Sequence, residues 1–108
     1  MSHYLFIDSR DAFESRDTEF VLATAGALRQ NGNSVTLFLV SNGVLAARRH
    51  APERYLSVAS AAGMDVVADE FSLLERGITA DELHPAIRTS NVDEIVDMLA
   101  AGAKALWH

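Results

Sequence analysis

Three short polar clusters hold the side chains with which this chain could do chemistry: Asp8-Ser9-Arg10, Ser41-Asn42-Gly43 and Asp69-Glu70. Each follows a short apolar run. In an open parallel sheet the loops beyond the carboxyl ends of the strands diverge and meet helix amino termini, so ligands gather along that edge. The three clusters are therefore expected to line one candidate crevice. Adjacent carboxylates such as Asp69 and Glu70 can raise one another's pKa and act as general acid or base. The same pair suits the start of a helix near Phe71, where a carboxylate caps backbone N–H groups, and capping is the favoured reading. Arg76, one residue before Gly77, complements a helix carboxyl terminus. Arg48-Arg49-His50, the one basic cluster, reads as solvated surface ahead of an anion site.

Other chemistries lack their spacing. A phosphate-binding loop ends in Lys-Ser or Lys-Thr, and a dinucleotide site needs GxGxxG directly after a strand; neither string occurs. His3, His50, His84 and His108 show neither HxH nor HExxH spacing, so no metal site is expected. Ser41, His84 and Asp8 could be assembled into a Ser-His-Asp set, but Ser41 lacks the GxSxG turn that strains a nucleophile into position. The chain has no cysteine, which excludes disulfides, thiolate metal sites, iron-sulfur clusters, thiol nucleophiles and any persulfide on its own sulfur. No cofactor is implied.

The elements that must position these residues can be read from periodicity. His3 to Asp8 (HYLFID) is too short for a helix and reads as a buried strand. From about Asp17 to Asn31, Val21, Ala25 and Leu28 recur at helical spacing, and Gly32 follows as a C-cap. Ser34 to Val40 (SVTLFLV) is β-branched and almost continuously apolar, as in a strand covered on both faces. After Asn42-Gly43 comes a second helical pattern, with Leu56, Ala59 and Ala62 on one face, closing at Gly63. Met64 to Ala68 (MDVVA) is the third strand. Phe71 to Glu75 is a short helix stopped by Gly77, and Thr79 with Glu82 forms a capping box whose helix Pro85 limits. Val92, Ile95, Val96 and Leu99 form the inward stripe of a helix from near Asn91 to Gly102. Lys104 to Trp107 (KALW) is a last strand, and Trp107 is expected in the core ahead of an interface between chains.

Strands alternating with helices predict a three-layer α/β/α sandwich on a mainly parallel sheet of four to five strands, with right-handed crossovers. The 108 residues fit one domain, 1–108. With 15 acidic against 9 basic residues, a formal charge of -6 and a pI near 5.0, the chain lacks the basic stripe that nucleic acid demands. Met1 opens no basic leader and no apolar run approaches the ~20 residues that span a bilayer, so a cytoplasmic protein is expected, without membrane contact.

The order of elements and two strings, VTLFLVSNGVLAA (Val35 to Ala47) and VVADEFSLLERGI (Val66 to Ile78), resemble the DsrE/DsrF-like family of small sulfur-metabolism proteins over almost the whole chain. The resemblance implies that active members carry a cysteine at the end of the third strand, seven residues before an Arg-Gly pair. Here the pair is Arg76-Gly77, and the position seven residues earlier is Asp69. Active members are similar to sulfur carriers whose thiolate accepts a persulfide sulfur and hands it to a partner protein. A carboxylate cannot hold that sulfur. The resemblance also implies a homo-oligomer (dimer, trimer or hexamer) and a possible protein partner in a sulfur relay. Three readings follow: a non-catalytic assembly or binding protein, a small-ligand binder or acid/base enzyme using the crevice, or a partner-binding regulator unrelated to sulfur, since fold does not fix function.

Overall fold

The computed structural model describes residues 2–10, 18–49 and 55–107. Along the chain run β1 (His3–Asp8), α1 (Thr18–Gln30), β2 (Ser34–Leu39), a 3-10 segment (Ser41–Ala47), α2 (Tyr55–Ala61), β3 (Asp65–Asp69), α3 (Glu70–Glu75), a 3-10 turn (Ala80–Glu82), β4 (Arg88–Ser90), α4 (Val92–Ala100) and β5 (Lys104–Trp107). The sheet order is β4-β3-β2-β1-β5, and every neighbouring pair is parallel. The predicted α/β sandwich is the observed fold.

Crossover handedness decides which helix lies where. Parallel connections are right-handed, so the steps from β1 to β4, all in one direction across the sheet, place α1, α2 and α3 on one face. The return from β4 to β5 at the far edge runs the opposite way and places α4 on the other. The two cores agree with this: Phe6, Leu37, Leu39, Val66 and Ala68 pack with Val21, Ala25, Leu56, Ala59 and Leu73. Leu5, Ile7, Phe38 and Val67 pack instead with Ile95 and Met98. Alternation along β1, with Leu5 and Ile7 facing one layer and Phe6 the other, is the period of an extended strand buried on both sides.

Four expectations need correction. Ala62 is exposed in the turn after α2, which ends at Ala61, so only Leu56 and Ala59 of that trio are buried. β4 was not foreseen, because Arg-Thr-Ser has no apolar pattern to read. The α4 stripe is not inward as a whole: Ile95 and Met98 touch the core, whereas Val92, Val96 and Leu99 are exposed. Among the described residues one helix lies on this face, and the sheet reaches only part of its apolar arc. Trp107 is exposed rather than buried, since β5 is a four-residue edge strand with β1 on one side. The expected helix start at Asp17 lies outside the described residues.

Two contacts fix the ends of the sheet. Val40 N–H donates to the Asp8 carbonyl at 2.9 Å. A Cβ on Gly43 would stand 2.2 Å from that same oxygen, so the turn after β2 can close on the end of β1 only with glycine at position 43. At the β4 edge, Arg88 donates to both Asp65 oxygens at 3.0 and 2.8 Å, and to both Glu94 oxygens at 3.0 and 2.6 Å. These paired forks tie β4 to β3 and α4. They also hold the Glu94 carboxyl below its ordinary value of 4.5 and raise Arg88 above its own.

Replacing Gly43 with Ala should cost ~3 kcal/mol of unfolding free energy, because backbone must move to admit the methyl group; denaturant unfolding measures it. Arg88→Ala should cost about 1 kcal/mol at neutral pH, as the forks are partly solvated. Glu94 has a lowered folded pKa, so its contribution is present above 4.5 and is lost as pH falls through the lowered value. The stability gap between wild type and Arg88→Ala should accordingly narrow in acid.

Candidate functional site

The carboxyl ends of β1, β2 and β3 are neighbours in the sheet, and the candidate residues sit where the sequence put them, on that edge. Their side chains do not all face one space. Asp8 is buried at the end of β1, and one of its carboxylate oxygens accepts from the Arg10 N–H at 3.2 Å. Ser9 is half-buried and Arg10 is exposed. Gly43 lies against the Asp8 backbone, as described. Asp8 and Asp69 end strands separated by β2, which puts their backbones about 10 Å apart at the usual strand spacing.

Asp69 is 5% exposed, and its carboxylate points into its own helix. Its Oδ2 accepts from the Ser72 N–H at 3.0 Å and from the Ser72 hydroxyl at 2.7 Å. Backbone extended at Asp69 and a side chain bonded to the third helical residue are the marks of an N-cap, so the capping reading holds for Asp69. Having given its one proton to Asp69, the Ser72 hydroxyl accepts from the Ser41 N–H at 2.9 Å. That bond holds Ser41 at φ 50, a left-handed conformation that a residue other than glycine seldom adopts. Two hydrogen bonds in series, Ser72 hydroxyl to Asp69 and Ser41 N–H to Ser72 hydroxyl, therefore link the end of β3 to the turn after β2.

Arg76 braces the same turn from the other end of α3. Its Nε and Nη2 donate to the Asn42 Oδ1 at 3.3 and 3.0 Å, and its Nη1 donates to the Ser72 carbonyl at 3.2 Å. Its role is thus wider than the helix-end charge read from the sequence. Gly77 follows at φ +65, with Ile78 N–H donating to the Leu73 carbonyl and Gly77 N–H to the Leu74 carbonyl. This is a Schellman ending, in which a left-handed glycine satisfies the last carbonyls of the helix. The Arg76-Gly77 pair is accounted for by the termination of α3 and its attachment to Asn42.

Glu70 is exposed, whereas Asp69 is buried. It stands at the rim of a cleft of about 390 Å³ whose wall is mostly apolar, formed by Leu73, Leu74, Ile78, Ala80 and Leu83 with Thr79 and Thr89. Glu70 is the one candidate residue in that lining. A second cleft, at the amino ends of the strands, contains His3, Arg29, Asn33, Ser34 and Asp65 and none of the candidates. Among the described residues no group of three His, Asp or Glu side chains is placed to hold a metal ion. His3 is bonded to the Thr36 hydroxyl at 2.8 Å, and His84 Nδ1 accepts from the Ala86 N–H. His50 and His108 lie outside the described residues. Arg48 and Arg49 are exposed, and the Arg49 N–H donates to the Glu82 carbonyl. The capping box of Thr79 and Glu82 is present, closing a single 3-10 turn.

Sequence reasoning missed Ser72, the centre of this network. Its signal was available: Asp-x-x-Ser places a hydroxyl at the third helical position, within reach of a capping carboxylate. What spacing could not give was the second bond to Ser41, which joins residues 31 apart in the chain. Among the described residues no helix is long and apolar enough to cross a membrane.

Comparison with known proteins agrees with this fold. The ychN protein from E. coli has a crystal structure similar to this fold at a TM-score of 0.87, with 20% identity and full coverage of both chains. The protein of unknown function MTH1491 from Methanobacterium thermoautotrophicum matches at 0.87 with 18% identity, again over the whole of both chains. BT1422 from Bacteroides thetaiotaomicron matches at 0.77 with 15% identity, over 97% of this chain and 94% of its own. No curated protein sequence matches. At these identities the solved structures speak for the fold alone. The model of the DsrE/DsrF-like family matches residues 2–107, nearly the full length, and the chain belongs to that family.

Proposed function

We propose that this protein is a non-catalytic member of its family, an oligomeric binding or assembly protein of the cytoplasm that stands beside a sulfur relay without carrying sulfur itself. The observation that carries this reading is the commitment of Asp69. By the family resemblance, active members have a thiolate here; this chain has a buried carboxylate bonded to the first turn of α3. A carboxylate has no sulfur with which to hold a persulfide, and no cysteine stands elsewhere in the 108 residues to replace it. Exposed apolar side chains on two elements, Val92 and Val96 on α4 and Trp107 on β5, support a role in contacts with other chains.

The second reading, a ligand binder or acid/base enzyme at the strand carboxyl ends, draws on the cleft that Glu70 overlooks. Acid/base chemistry by a carboxylate pair needs two such groups facing one space. Asp69 faces its own helix and Glu70 faces outward, so a ligand in this cleft would meet one carboxylate above an apolar wall.

After incubation with a persulfide donor, the intact mass of the purified protein should be unchanged; a covalent sulfur adduct would overturn the proposal. Asp69→Ala and Ser72→Ala should each lower stability by about 1–2 kcal/mol, the cost of losing a cap and leaving buried polar partners unpaired. Because the two side chains share one network, the double variant should lose less than the two single losses combined. Full stability of Asp69→Ala would show that the carboxylate is not held for capping.

A further inference from the structure

The apolar surface left open by α4 has a direction that the sheet register determines. Ile7 pairs with Trp107 and Leu5 with Ala105. Leu5 and Ile7 belong to the core on the α4 side. Alternation along a strand therefore places Ala105 and Trp107 on that face and Lys104 and Leu106 on the opposite one. Successive residues of α4 turn by about 100°. Glu94 faces β4 through Arg88, and Ile95 and Met98 face the sheet. Continuing the same rotation directs Val92, Val96 and Leu99 towards the β5 edge. These three are 55%, 61% and 46% exposed, and Trp107 is 72% exposed, so they form one strip along that edge.

The four side chains expose on the order of 400–500 Å² of surface, the size at which an apolar patch on a monomer marks an interaction site. That is about half of the ~800 Å² that one partner contributes to a standard interface. The outer backbone groups of β5, which no described strand pairs, lie beside the strip and can supply the remainder, as edge strands do when they meet another strand.

We propose that the α4 flank and the β5 edge form the contact between two copies of this chain, related by a two-fold axis, with the two β5 strands pairing antiparallel into one continuous sheet. This presupposes the assembly reading above and gives it a surface. A two-fold axis normal to the sheet keeps each face on its own side, so residues standing opposite one another must differ by an even number of positions. The register centred on Leu106 meets that condition. It sets Leu106 against its own copy on one face and Trp107 over Ala105 of the partner subunit on the other, a large side chain opposite a small one. The α4 stripes then run antiparallel, with Val96 near the axis. This self-complementarity is what selects a second copy of the chain as the occupant. Asp93 and Asp97, exposed on α4, give both copies an acidic rim.

Sedimentation equilibrium across a concentration series tests the contact, together with the emission of Trp107, the single tryptophan. The wild type should have a mass of two copies or an even multiple, and its emission should shift to the blue as concentration rises. Val96→Asp and, independently, Trp107→Ala should each weaken association by at least about tenfold, as the loss of a central interface side chain does. Their circular dichroism should stay native, because both residues are largely exposed in the single chain. Leu74→Asp, on the opposite face, should leave the mass unchanged. Added salt should tighten association by screening the acidic rims; a basic foreign partner would show the reverse. Association weakened by Leu74→Asp but by neither of the other variants, or an odd subunit count, would overturn this contact and leave the assembly reading standing. A wild type that stays monomeric throughout would overturn both.

Discussion

Right-handedness of parallel crossovers is the constraint on which the rest of this structure depends. Three successive connections move the chain from β1 to β4 and stack α1, α2 and α3 on one face; a single return connection leaves α4 to cover the other. The layers are therefore unequal. The face with three helices encloses a deep core of aliphatic residues and alanines. The other depends on Ile95 and Met98 over Leu5, Ile7, Phe38 and Val67. A lone helix meets the sheet with only part of its circumference, so an apolar arc wider than that contact remains open to solvent. The same return connection makes β5 an edge beside β1, with Trp107 on the face that α4 covers.

At the carboxyl edge of the sheet the polar groups serve one another. Asp69 caps α3 through Ser72, Ser72 holds Ser41 in a left-handed turn, and Arg76 ties Asn42 to the carboxyl end of the same helix. A six-residue helix is too short to be stable on its own. Its two ends are anchored to the turn after β2, which is itself seated against the Asp8 carbonyl by Gly43. This edge is stabilised by a buried carboxylate bonded within α3. Charge and hydrogen-bonding capacity suit aspartate to the cap and unsuit it to persulfide exchange.

Much of this was legible before the structure. The strands at His3, Ser34 and Asp65 announced themselves by short, nearly continuous apolar runs, and α1 by the spacing of Val21 and Ala25. The capping role of Asp69 followed from its place before Phe71, and the end of α3 from Gly77. β4 was illegible because three polar residues carry no period, and it is held by the forks of Arg88, which join residues 23 and 6 positions away. Ala62 was misassigned because helical spacing continues past the residue at which the helix stops. The network through Ser72 and Ser41 was out of reach because its partners are distant in the chain.

The sequence by itself determined the class of fold, the absence of any cysteine and the residues at the strand ends, since composition and local period carry that information. Tertiary structure decided which carboxylate faces inward, which turn each arginine holds and which apolar residues are covered. The stripe of α4 is the clearest instance. Its period records that the helix has an apolar side, but burial also requires a surface opposite. How much of that side the sheet can reach is settled only by where the other helices and the last strand lie.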